Sequence, residues 1–210
     1  MTTHAEPKPS HDSSRPTDSS KQTDSLDWPR LLLEQLTHHW DDQLRPRLDG
    51  LTDEEYLWEP VADCWNVRRR GTGSAPIQAG TGTMTIDFAM PEPDPPPVTT
   101  IAWRIGHLVV GVFGERNHHH FDGPPADYLG WDYPATATGA LQQLDAGYAE
   151  WVRGVQALGP AGLGQECGTA EGPYAQSPMA ELVLHIHREV LHHGAEIALL
   201  RDLYAHQPQP

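Results

Sequence analysis

The sequence is short of cysteine, of basic residues and of long apolar runs, and each shortage excludes a class of protein. Its only cysteines, Cys64 and Cys167, form neither a CxxC pair nor the dense pattern that staples small secreted domains, so two inert thiols are expected. Lys and Arg total 14 against 29 for Asp and Glu, a formal net charge of -15, and most of the surface should repel phosphate backbones and anionic lipid. Nucleic acid and membrane are therefore not expected as partners. No run approaches the roughly 18 apolar residues that a spanning helix needs. Residues 1–25 hold no Val, Ile, Leu, Phe, Trp or Tyr and cannot bury enough surface to offset the entropy of ordering, which predicts a disordered tail. That stretch also lacks an apolar signal-peptide core, and Glu6, Asp12, Asp18 and Asp24 argue against a transit peptide, leaving the cytoplasm as the expected compartment.

What is present is helical periodicity. The length suits one domain, expected over 26–205, followed by a short tail, 206–210. Ser25 or Asp27 can cap a first helix with Pro29 in its first turn, and Leu32, Leu33, Leu36, Trp40, Leu44 and Leu48 lay a stripe along it until Pro46 kinks or ends it. Thr52 and Glu55 read as a capping box opening a short turn. Between Pro60 and Val98 the composition shifts to Gly, Pro and Arg, a long connection in which Thr83–Phe88 alternates as a short hairpin strand would. A second helix opens at Thr99 or Thr100 and runs to about Phe121. A third covers Thr138 to Leu158 and stops at Gly159-Pro160, and a fourth starts with Ser177 as cap and Pro178 at its first position and runs to about Ala205. The expectation is an all-α four-helix bundle with long crossover loops and at most a short hairpin.

The last helix carries the chemistry. At 100 degrees per residue, positions 185, 189, 193 and 196 share a stripe with Leu182 and Leu200, so Glu189 and His193 should face inward. A carboxylate and an imidazole one turn apart are costly to bury alone, and a divalent cation would compensate them. His107, in the apolar run of the second helix, is the natural third ligand. By spacing alone ExxxH is a weak signal, and a lone inward His is more often a hydrogen-bonded core residue. His185 fits a core His better than a fourth ligand. His192 should face solvent or another helix, His38 and His39 should lie at the surface, His118-His119-His120 reads as a solvated helix end, and Arg68-Arg69-Arg70 as a solvated charge run. Arg104, one turn before His107, either receives a cosubstrate carboxylate or pairs with an acid.

The stretches LLLEQLTHHWDDQLRPRLDGLTDEEYLWEPV (31–61), TTIAWRIGHLVVGVFGERN (99–117) and LVLHIHREVLHHGAEIALLRDL (182–203) resemble the DinB superfamily, within it the actinobacterial branch related to mycothiol-dependent enzymes. The resemblance covers about 26–205. It implies a four-helix bundle whose metal is held by one His of the second helix and two ligands one turn apart on the last, which here are His107, Glu189 and His193. In many members that pair is two His, and in the mycothiol-dependent maleylpyruvate isomerases its first residue is Glu, as here. Zn is the favoured ion, with Ni, Mn or Fe open to the same donors. The resemblance further implies a small thiol of the mycothiol type as cosubstrate, an electrophile as its partner, and homodimers as one assembly open to the chain. Three readings follow: a metal-dependent thiol S-transferase or isomerase, a metal-binding or stress-response bundle without turnover, and a structural bundle in which His107 pairs directly with Glu189.

Overall fold

A computed structural model describes residues 26–207. The expected tail over 1–25 and the last residues, 208–210, lie outside the described residues. Four long helical segments share one core. The first runs through 28–47 as an α-helix (Trp28–His39), a π-helical stretch (Trp40–Leu44) and a last turn (Arg45–Arg47). Asp27 caps it, accepting from the Arg30 amide at 3.2 Å, which satisfies one of the orphan amides of the first turn. The second spans 101–120 as Ile101–His107, a π-helical Leu108–Gly114 and Glu115–His120, with Thr100 accepting from the Trp103 amide at 3.2 Å. The third is Ala137–Leu163 and the fourth Met179–Ala205.

Two helix ends differ from expectation. Gly159 takes a positive φ of 61°, which bends the third helix, and Pro160, at home in a first helical turn, lets it continue to Leu163. The fourth helix is capped at Pro178, and Ser177 makes no side-chain cap bond. At the short turn Asp53–Tyr56, Thr52 accepts from the Glu55 amide at 3.1 Å as predicted. Glu55 does not reach back. Its carboxylate accepts from Nε and Nη2 of Arg201, at 2.6 and 3.0 Å, tying the turn to the last helix.

The all-α expectation needs correction. The 60–98 connection holds a three-stranded antiparallel sheet, β1 (Val67–Arg69), β2 (Ile77–Ala79) and β3 (Met84–Phe88), in the order β1-β3-β2, rather than a single hairpin at most. Val67 pairs with Ile86 and Ile77 with Phe88. Buried Asp87 on β3 accepts from Arg68 Nε at 2.7 Å, so Arg68 is not part of a solvated run but the partner that compensates a buried carboxylate. The sheet also fixes the start of the second helix: Thr100 Oγ1 donates to Asn66 at 2.7 Å and Trp103 Nε1 to the Asp87 carbonyl at 2.8 Å.

The core joins Leu33, Leu36, Trp40, Leu44 and Leu48 of the first helix to Ile105, Leu108 and Phe113 of the second, Leu144, Trp151 and Val155 of the third, and Val183, Ile186, Val190 and Ile197 of the fourth. Each such burial is worth about 1.5–3 kcal/mol before entropy is counted, so this apolar seam, not the polar cluster beside it, holds the helices together. Gly194 lets the first helix close on the last, since a Cβ there would press Leu44 Cδ2 at 2.9 Å. Among the described residues no helix is long and apolar enough to cross a membrane.

Candidate metal centre

The second and fourth helices bring His107, Glu189 and His193 together. One ligand atom from each lies within 4.8 Å of the others. The two imidazoles meet edge to face, with centroids 4.8 Å apart and planes at 90°, and His193 Nε2 stands 3.4 Å from Glu189 Oε2. Burial works against the protonated form of both rings. Burial pushes the His107 pKa down to about 3, helped by the charges of His193, Arg104 and Arg116. Burial also lowers His193, and the bond to Glu196 only partly opposes it. Glu189 is the open side of the cluster, with 25% of its side chain exposed.

Each imidazole is gripped from behind. His107 Nδ1 lies 2.6 Å from the Tyr128 hydroxyl, which meets the edge of the ring in nearly the same plane, and Trp103 stacks beside the ring at an interplanar angle of 17°. Gly111, one turn beyond His107, makes this contact fit: a Cβ there would overlap the Tyr128 hydroxyl and reach its Cζ at 3.0 Å. The π-helical stretch that opens at Leu108 sits at the same place, the kind of local widening that recurs at functional sites. His193 Nδ1 lies 2.7 Å from Glu196 Oε2, and Arg104 Nη1 meets that same oxygen at 2.6 Å. Each ring thus has Nδ1 engaged, which leaves Nε2 for a further partner. Two neutral imidazoles and a carboxylate converging on one point form a donor set that fits a divalent cation. No ion pair joins His107 to Glu189 among the described residues.

The other expectations divide. His192 is exposed, as is His38, which pairs with Asp42 at 2.7 Å. His39 is half-buried, its Nε2 without a hydrogen-bond partner. His185 is not a core residue: it lies at the rim, 2.5 Å from Arg188 Nη2 and 3.6 Å from Glu189. The core imidazole is His187, two residues on. His120 is not a solvated helix end but is buried against Glu171 at 2.9 Å, an acid that Arg116 also reaches. Arg104 pairs with an acid, Glu196, the second of its two expected roles. Cys64 and Cys167 are free and buried, and burial raises both thiols.

Sequence reasoning missed Tyr128, Glu196 and Gly111. Glu196 stood on the inward stripe, so its direction was readable, but not its partner. Tyr128 lies in the 121–136 connection, where no periodicity assigns a side chain to anything. Gly111 sat in an apolar helical run where only its missing side chain marks it.

No match to the chain was found among curated proteins or among solved structures. A family model does match it, over residues 35–197, a span that contains His107, Glu189, His193 and Glu196, and the chain belongs to the DinB superfamily.

Proposed function

We propose that His107, Glu189 and His193 hold one divalent cation, Zn in first place, and that the protein is a metal-dependent transferase or isomerase. It would use a small thiol of the mycothiol type against a small electrophile. The observation that carries this reading is the convergence of two neutral imidazoles and one carboxylate, with the nitrogens facing away already engaged. The purely structural reading needs a direct His107–Glu189 pair, and the described residues contain none. The four long helices fit the four-helix bundle expected of the family, with the sheet as an addition beside the site.

A cation bound there supplies the positive charge that turns a coordinated thiol into a thiolate, the nucleophile such chemistry requires. The chain's own residues do the rest. Glu189 contributes the negative charge that favours a divalent ion and borders the open side, where a cosubstrate would enter. Tyr128 holds His107 through Nδ1 and Trp103 stacks beside its ring, which together fix the ring's orientation. Buried Cys64 and Cys167, with raised pKa values, are poor nucleophiles, so the reacting thiol belongs to the cosubstrate.

The test is elemental analysis of the purified full chain followed by thiol-consumption assays with mycothiol, glutathione and cysteine against a panel of activated alkenes and halides. One bound cation per chain with metal-dependent loss of thiol supports the transferase reading, and unchanged substrate in every pair would favour a binding module without turnover.

A further inference from the structure

Glu196 is one oxygen away from being mistaken for a ligand. With His192 and His193 it forms a second group whose ligand atoms lie within 4.8 Å of one another. Two observations argue against that role. Arg104 Nη1 sits 2.6 Å from Glu196 Oε2, so the carboxylate already has a cationic partner. His192 is exposed, and it meets the other oxygen, Oε1, at 3.3 Å.

We propose that Glu196, anchored by Arg104, is a positioning residue that fixes His193 as its Nδ1–H tautomer and so presents Nε2 beside Glu189. The inference rests on the metal reading above and deepens it. Three atoms decide the geometry: Arg104 Nη1, His193 Nδ1 and Glu196 Oε2 lie within 3.0 Å of one another. An arginine only donates and a carboxylate only accepts. If Nδ1 accepted from Arg104, its lone pair would face the carboxylate oxygen at 2.7 Å. The arrangement that satisfies all three has both nitrogens donating to Oε2. In the neutral ring, His193 Nε2 then carries the free lone pair and stands 3.4 Å from Glu189 Oε2, on the side where His107 also converges. A carboxylate behind a ligating imidazole fixes ring orientation and raises basicity at the metal-facing nitrogen.

The experiment uses metal-free full-length protein for the tautomer and the same protein titrated with Zn²⁺ for affinity. Long-range ¹H–¹⁵N spectra of the parent should show His193 protonated at Nδ1. Glu196→Ala should lose that signature and bind Zn²⁺ about 10–100-fold more weakly, while Glu196→Asp, which keeps the carboxylate, recovers part of both. His192→Ala should bind like the parent. A parent with His193 protonated at Nε2, or a Glu196→Ala variant that binds equally tightly, overturns the positioning role. A tenfold loss in His192→Ala would move the ion to the other group and overturn it as well. A parent that binds no Zn²⁺ overturns the metal reading itself, a result distinct from each of these.

Discussion

Two buried histidines of the last helix, His187 and His193, differ in almost everything except burial. His187 packs edge-on against Trp151 at a centroid distance of 6.2 Å, and its Nε2 has no hydrogen-bond partner. His193, six residues on, faces another side of the helix and has a carboxylate near each ring nitrogen. Burial lowers the pKa of both, to about 4 for His187, so titration alone does not distinguish them. The polar partners do. A core imidazole fills space, whereas an imidazole held by one carboxylate and facing another is oriented toward something.

The largest effect should come from the partnered side. Glu189→Gln keeps the volume but removes the negative charge facing His193, so Zn²⁺ affinity should fall by about 10–100-fold or more while the thermal melt of the metal-free protein moves little. A Gln variant that binds as tightly as the parent removes Glu189 from the ligand set. Glu189→His, by contrast, should retain metal, because it restores a three-imidazole set.

Gly111→Ala comes next. Its Cβ would overlap the Tyr128 hydroxyl, and overpacking of this kind typically costs about 1–3 kcal/mol. Chemical denaturation should show that loss together with weaker Zn²⁺ binding, because His107 loses its hydrogen-bonded partner. A stable variant with unchanged affinity would mean that Tyr128 is dispensable.

The unpartnered side predicts a pH effect. The His187 pKa is about 4 in the folded chain against an ordinary 6.5, so between these values the unfolded chain carries a proton that the folded chain lacks. Stability from this group is complete above pH 6.5 and is lost as pH falls toward 4, at no more than about 1.4 kcal/mol per pH unit. His187→Leu removes both the titration and the unpaired nitrogen. Urea melts at pH 7 and pH 5 should therefore lie closer together in the variant than in the parent, and equal spacing would contradict the assignment. The smallest effect is expected at the thiols: Cys64→Ser with Cys167→Ser should leave metal content and thiol transfer largely intact.

The same contrast shows what the sequence could reveal. The helix starts at Asp27, Thr52 and Thr100 were legible because caps are local chemistry, and the inward direction of Glu189 and His193 followed from helical geometry. The sheet was largely hidden, since β1 and β2 have three residues each and are fastened by a distant pair, Arg68 with Asp87. Periodicity pointed to His185 as the buried imidazole because it assumes a symmetric stripe. In the fold, the helix turns His187 to Trp151 and leaves His185 at the rim. Tyr128 and the Arg104–Glu196 pair depend on contacts between separate elements, which no local pattern encodes.

If the partnered histidine marks a metal centre, Zn²⁺ titration of the metal-free full chain gives one tight site in the parent and none in a His107→Ala, His193→Ala double variant. An undiminished site in the variant, or no site in the parent, would show that it does not.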